Sequence, residues 1–357
     1  MPRPIRAAVS ASALAHNLAL AKSLAAPAKL WAVVKANAYG HGLLRAAKAL
    51  AAADGLALLD LAEALRLRAA GERRPLLLLE GFFDAREIPI FARFGLTPVV
   101  HCAEQLAMLA KTRFEGSLDV YLKVNSGMNR LGFAGEAVAE AWTALRGMPQ
   151  VRAITLMTHF ADADGPIGVE PQLAWFEELT RGIAAPRSLA NSAALVRFAE
   201  ATRADWVRPG ILLYGGSPLA FRTAADLGLR PAMTLASEII AVQNLEPGER
   251  VGYGFAYEAA RRMRVGIVAC GYADGYPRHA PTGTPVLVAG RRTHVVGRVS
   301  MDMLACDLTD IPEAGYGAPV VLWGEGLPVE EVAAAAGTVN YELLCRLAPR
   351  VPVIEVP

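Results

Sequence analysis

Four things are scarce in this 357-residue sequence, and each scarcity excludes something. Cysteine is rare and scattered: Cys102, Cys270, Cys306 and Cys345 form no C-x-x-C pair and no metal-type spacing. No disulfide scaffold and no metal site is therefore expected; the thiols suit a reducing compartment and read as small buried hydrophobes. Excess charge of one sign is also lacking. Lys and Arg number 36 against 34 Asp and Glu, a net of +2, which argues against nucleic acid and against an anionic membrane surface as partners. The pairs Arg261-Arg262 and Arg291-Arg292 read as solvated strand edges. No apolar run is long and charge-free enough to span a bilayer, so no membrane partner is expected. Arg3 and Arg6 ahead of the alanine-rich residues 7–15 imitate a signal peptide, but His16, Asn17 and Lys22 interrupt the apolar stretch. Residues 10–24 read better as a capped helix, and the expectation is a cytoplasmic protein. Repeats and low-complexity segments are missing too, apart from a general richness in alanine.

What is present is apolar mass: 54% of the residues are hydrophobic, enough for one large domain or two ordinary ones. After the first helix, nearly continuous apolar strands alternate with helical patterns. Strands are expected at 31–34, 55–59, 75–80, 97–101, 118–124, 152–159, 187–190 and 206–214. Helices are expected between them, at 60–70, 88–94, 104–111, 136–145 and 172–183 and from Ser192. Strands apolar on both faces imply a parallel sheet covered by helices. About eight such units over roughly 220 residues fit a TIM-type (β/α)8 barrel better than an open sheet. Arg230-Pro231 marks a change. Downstream, period-2 alternation (233–243, 264–270, 285–288, 294–299) and glycine turns dominate, with helical patterns only at 329–336 and 340–344. The expected architecture is a barrel over residues 1–230 followed by a mostly β domain over 231–357.

The stretch Trp31 to Gly42 organises the barrel. Four apolar residues, Trp31 to Val34, read as a buried strand, and Lys35 sits where it ends. Lysine is seldom fully buried, so its place calls for a reason. It either snorkels to solvent or is a partly desolvated amine with a lowered pKa, able to form a Schiff base with a carbonyl. The run Val33-Val34-Lys35-Ala36-Asn37-Ala38-Tyr39-Gly40-His41-Gly42 resembles the pyridoxal-phosphate lysine motif of alanine racemases, a long and specific signature. The resemblance extends along nearly the whole chain. It implies pyridoxal 5'-phosphate as cofactor, Lys35 as the residue that carries it, and Tyr39 as a hydrogen-bond donor to its phosphate.

Further segments carry the same resemblance. Asn191-Ser192-Ala193-Ala194 and Val207-Arg208-Pro209-Gly210-Ile211 could be an ordinary helix cap and turn. In a barrel, though, late strand ends and helix N-termini form a usual phosphate site. The family pattern puts Ser192, Gly210, Ile211 and Tyr341 on the phosphate, Arg208 against the pyridine nitrogen, and His159 in a link to Arg208. Arginine is not deprotonated in proteins, so Arg208 cannot take a proton from a pyridinium; a weaker electron sink and less transamination follow. Val251-Gly252-Tyr253-Gly254-Phe255 reads locally as a hairpin turn but matches the catalytic-tyrosine motif, on which Tyr253 falls. A free tyrosine has a pKa near 10 and needs a cation beside it to act as a base. Arg130 is the family's candidate for that neighbour and for substrate binding. Lys123 matches a lysine carbamylated in several members. Asn125 and Ser126 replace the acidic residue and threonine usual in that segment of the family. Met301 and Asp302 fall on substrate-carboxylate contacts, and Tyr272 on the active-site entrance. Residues of the β domain would serve the barrel of another subunit, which implies a homodimer with shared sites.

The expectation is an alanine racemase, an isomerase interconverting L- and D-alanine with Lys35 and Tyr253 as two bases, for peptidoglycan precursors or alanine breakdown. The alternatives on this fold are a racemase of broader specificity or one for serine or lysine, and a basic-amino-acid decarboxylase. A non-enzymatic single-barrel cofactor binder is a third class. Arg208 argues against the decarboxylase and the long β domain against the single-barrel binder.

Overall fold

Eight short strands close into a parallel barrel in the computed structural model, which describes residues 3–357: Lys29–Val33, Gly55–Leu58, Leu76–Leu78, Leu96–Val100, Leu118–Lys123, Val151–Met157, Arg187–Ser188 and Trp206–Val207. Closure comes from the pairing of the first strand with the last, Leu30 opposite Val207. Gly55–Leu58 and Leu76–Leu78 are buried along their whole length, which is why they read as unbroken apolar runs. Helices follow where the sequence caps them. Asp60 accepts from Glu63 N (3.1 Å) at the start of Leu61–Ala69, and Asn191 accepts from Ala194 N (3.0 Å) at the start of Ser192–Arg197. Helix Ile88–Phe94 falls where the sequence places it, and ends on Gly95 in the left-handed conformation.

Trp31 fills part of the barrel interior. Its indole donates to Tyr121 Oη (2.9 Å) and stacks on Trp206 with centroids 4.4 Å apart. Gly55 is the residue that lets it in: a Cβ there would lie 2.2 Å from the indole ring. The barrel is a packed core, and its chemistry is confined to the rim where the strands end. Lys35, Lys123, His159 and Arg208 all stand at or just beyond strand C-termini. The expected strand 206–214 is only Trp206–Val207; Pro209 stops the ladder and Ile211–Tyr214 is a 3-10 turn.

The second unit is an eight-stranded sheet with short helices. Its spine is Met233–Leu245, whose alternating burial matches the period-2 pattern of the sequence. It pairs antiparallel with Arg6–Ser10, Met263–Val268 and Pro319–Trp323. The first strand, Arg6–Ser10, also pairs parallel with Val353–Val356, so both ends of the described chain lie in this sheet. Residues 3–14, Tyr39–His41 and Tyr214–Pro357 belong to this unit, the rest to the barrel. A single boundary at 230/231 therefore differs from what is observed: the first residues and 214–230 fall with the β unit. The reason is hydrogen bonding. A strand at residues 6–10 finds its partners near residues 233–236 and 353–356, beyond any local sequence signal.

Two readings of side chains change. Cys270 and Cys306 are buried as expected, but Cys102 is half-buried and Cys345 exposed. The arginine pairs are solvated and also hold carboxylates: Arg261–Asp310, Arg262–Glu246, Arg291–Glu313 and Arg292–Glu331. No helix among the described residues is long and apolar enough to cross a membrane.

Candidate active site

The small-residue loop after Lys35 is a left-handed turn. Ala36, Asn37, Ala38 and Tyr39 have φ of 54°, 53°, 55° and 51°, four consecutive non-glycine residues in a region that costs each about 1–2 kcal/mol. Such a run persists only where its surroundings fix it, and it marks functional sites. Ala38 N donates to Val34 O (2.9 Å), Gly42 N to Asn37 O (2.9 Å) and Leu43 N to Asn37 Oδ1 (2.9 Å). Alanine at 36 and 38 carries the Cβ whose approach to the carbonyl makes the conformation costly, so these bonds must offset that cost. Lys35 opens this turn, half-buried at the barrel rim.

Positive charge gathers around it. Lys123, at the end of Leu118–Lys123, is 8% exposed, and its ammonium is pushed down to about 7. Burial is the main cause, followed by repulsion from Arg208, Arg130 and Lys35, with Glu80 offsetting only part. Burial and the same four cations hold His159 well below its usual range, so its imidazole is neutral at pH 7. Arg208, 5% exposed, is lowered by burial to about 10 and stays protonated. Its guanidinium donates to Ser188 Oγ (2.6 Å), Thr158 O (2.5 Å) and Leu189 O (3.2 Å), which fixes its plane. Ser126 Oγ bonds Thr158 Oγ1 at 2.6 Å.

Ser192 and Gly210 meet in the fold. Ser192 Oγ, 4% exposed, accepts from Gly210 N (2.9 Å) and keeps its own proton to donate. Ile211 lies beside it, fully buried. This donor set fits an anionic carbonyl cofactor: an amine that can add to a carbonyl, a hydroxyl donor for a phosphate, and a surplus of cations.

The β unit holds the remaining candidates. Tyr39, 5% exposed, stacks on Tyr214 with centroids 4.6 Å apart, and the Tyr341 ring lies 6.1 Å from it. Burial, then the neighbouring Tyr341, keep the Tyr39 phenol protonated and a donor. Tyr253 sits at the tip of the hairpin Arg250–Val251/Tyr257–Glu258, 68% exposed, between Gly252 and Gly254 at φ of 73° and 69°. The turn expected there is present and presents the phenol. Tyr272 opens the 3-10 turn Tyr272–Asp274; Met301 and Asp302 lie in the loop bonded to it through Ala273 N and Met301 O (2.9 Å). The sequence alone did not single out Tyr214, Ser188, Thr158 or Asp274. Asp274 and Thr158 had a local signal, their places in the Gly271-Tyr272-Ala273-Asp274-Gly275 and Met157-Thr158-His159-Phe160 motifs.

A lysine amine at the rim of a parallel barrel, amid cations and phosphate-type donors, defines a class: barrel enzymes that hold a carbonyl cofactor on lysine. Comparison with known proteins narrows it. The family model for the alanine racemase N-terminal domain matches residues 9–218, and that for the C-terminal domain matches 232–355. The alanine racemase of Nitrosospira multiformis is 60% identical over 353 residues, covering 98% of this chain and 99% of that protein. The crystal structure of the biosynthetic alanine racemase from Pseudomonas aeruginosa superposes with a TM-score of 0.96 at 49% identity, over 99% of this chain and 100% of that one. That from Acinetobacter baumannii gives 0.94 at 39%, with the same coverage. The chain belongs to the alanine racemase family, a family of isomerases that use pyridoxal 5'-phosphate.

The electrostatics of the rim can be measured. With carbon dioxide excluded, Lys123 should titrate near 7 by NMR of methyl-labelled lysines, against above 10 for exposed ones. Replacing Arg130 by Gln removes a positive neighbour and should raise that midpoint, while most of the depression, which comes from burial, remains. A Lys123 midpoint above 10 in the folded protein would contradict this account.

Proposed function

We propose that the chain interconverts L- and D-alanine by a two-base mechanism and supplies D-alanine for peptidoglycan precursors in the cytoplasm. The observation that carries this reading is Lys35 on its left-handed turn, beside the protonated, donor-only Arg208. Relatives bearing the name alanine racemase match over nearly the whole chain, and the Pseudomonas aeruginosa neighbour is described as biosynthetic.

Lys35 would hold pyridoxal 5'-phosphate covalently, Ser192, Gly210, Ile211, Tyr39 and Tyr341 would hold its phosphate, and Arg208 would face the ring nitrogen. When bound, the cofactor supplies the electron sink that makes the Cα proton removable. Arg208, buried and fully charged at neutral pH, has no site to accept a proton and so leaves the ring nitrogen unprotonated. That tempers the sink and favours returning a proton to Cα over side reactions. His159, neutral and close to the same cations, adds no charge that would compete with Arg208. Lys35 and Tyr253 act on opposite faces of Cα, one taking the proton and the other returning one. Arg130 binds the substrate carboxylate and steadies the Tyr253 phenolate, and the Met301 amide and Asp302 complete the carboxylate site. Lys123 carries a carbamate that props Arg130; only a neutral amine attacks carbon dioxide, losing a proton as the carbamate forms, and a pKa of about 7 provides such an amine at physiological pH. Tyr253 and its loop serve the barrel of a second copy, so the enzyme is a homodimer with shared sites.

Two measurements test this reading. Chiral chromatography of products from a panel of L-amino acids with added cofactor should show alanine turned over fastest, to an equal mixture of enantiomers. Preference for lysine, serine or arginine, or release of carbon dioxide, would refute the substrate assignment. For the shared site, Lys35→Ala and Tyr253→Phe homodimers should each be nearly inactive. Mixed after reversible dissociation, they should regain about a quarter of wild-type sites, because half the dimers are mixed and each mixed dimer has one intact site. Exchanged mixtures that stay inactive would place both bases in one chain or remove Tyr253 from catalysis.

A further inference from the structure

Outside these roles, the most heavily bonded carboxylate in the β unit is Asp274. Its side chain has no exposed surface, yet it binds two arginines from opposite ends of the chain. Arg3 donates through Nη1 to Oδ1 (2.8 Å) and through Nη2 to Oδ2 (3.2 Å); Arg350 donates from Nε to Oδ1 (2.7 Å). Gly271 N completes the set on Oδ2 (2.9 Å). Burial works against the charge, but these bonds from Arg350 and Arg3 outweigh it and hold the carboxyl below its usual range.

Both arginines reach on to the same neighbour. Arg3 Nη2 donates to Asp302 O (2.7 Å) and Arg350 Nη2 to Asp302 Oδ1 (2.7 Å). Backbone bonds stitch the turn to the loop: Tyr272 N to Ser300 O (3.0 Å) and Ala273 N to Met301 O (2.9 Å). The fit is tight, since a Cβ on Gly271 would lie 2.4 Å from the Ser300 and Met301 carbonyl oxygens. Two aspartates and two arginines thus form a charge-balanced knot joining residue 3, the turn at 271–275, the loop at 300–302 and residue 350.

We infer that Asp274 is a positioning residue for substrate capture: it touches no substrate, but through Arg3 and Arg350 it sets the loop carrying Met301 and Asp302. This rests on the proposed role of that loop at the alanine carboxylate. A buried carboxylate gripped by two charge-assisted pairs has one geometry, and removing its charge leaves two half-exposed arginines repelling each other. A loop that binds ground state and transition state alike changes KM and leaves kcat near its wild-type value.

The test compares wild-type holoenzyme with Asp274→Asn, measuring KM and kcat for alanine, the visible absorbance of the bound cofactor, and the Kd of propionate. Propionate is alanine without its amine and so probes the carboxylate site alone. The expected result is a KM at least tenfold higher, a propionate Kd raised by a similar factor, kcat within about threefold of wild type, and unchanged cofactor absorbance. A merely structural role would lower the melting temperature and leave KM and the propionate Kd alone; that result overturns the inference. If Asp274→Asn does not fold, Arg350→Gln serves, because it loosens the knot from its half-exposed side. A threefold or greater rise in both KM and propionate Kd supports the inference, and unchanged values overturn it. Wild-type enzyme that does not racemise alanine would instead refute the substrate reading before any variant is compared.

Discussion

Four successive left-handed residues after a barrel strand are the constraint on which the rest of the site depends. Ala36 to Tyr39 could relax into any ordinary loop at a gain of several kcal/mol if nothing held them. They are held by Asn37, which accepts through both its backbone and its side chain, by Ala38 bonded to the strand end, and by the buried stack of Tyr39 on Tyr214. The turn fixes the backbone on both sides of the reactive amine, so Lys35 starts from a defined point. Alanine at 36 and 38 is part of this, because bulkier side chains would raise the cost of the same turn.

Charge is the second half of the arrangement. Lys35, Lys123 with Arg130, and Arg208 are brought together by three different stretches of chain, and their mutual repulsion opposes folding. Burial first, and this repulsion after it, lower a lysine to about 7 and keep a histidine neutral. A globular protein tolerates such a concentration where an anionic ligand is to be bound, and a phosphorylated cofactor with a carboxylate substrate supplies that anion. Arg208 shows the other requirement: it is both charged and immobile, because Ser188, Thr158 and Leu189 take up its donors.

Much of this was legible in the sequence, for physical reasons that vary by element. The barrel announced itself because strands buried on both faces must be apolar throughout, as in Leu76–Leu78 and Gly55–Leu58. The spine Met233–Leu245 was legible because one-sided burial leaves a period of two. Strand Arg6–Ser10 was not, since its five residues look like the lead-in to a helix and its partners lie more than two hundred residues away. The left-handed turn was also hidden: Ala-Asn-Ala carries no glycine to advertise positive φ. Lys35, Ser192, Gly210 and Arg208 were singled out through motifs at strand ends, whereas the long-range bonds of Ser188, Thr158 and Asp274 are not encoded by the segments in which they stand. The exposure of Cys345 was misjudged for a related reason, because small hydrophobic character alone does not tell which side of a short helix faces solvent.

The central claim is that Lys35 is the amine that carries the cofactor. Reducing the cofactor-loaded enzyme with borohydride makes the linkage permanent, and peptide mapping by mass spectrometry then locates it. The account predicts a single phosphopyridoxyl group, on the peptide containing Lys35. The same group on the peptide containing Lys123, whose amine is partly neutral at pH 7, or a spread over several surface lysines, would contradict it.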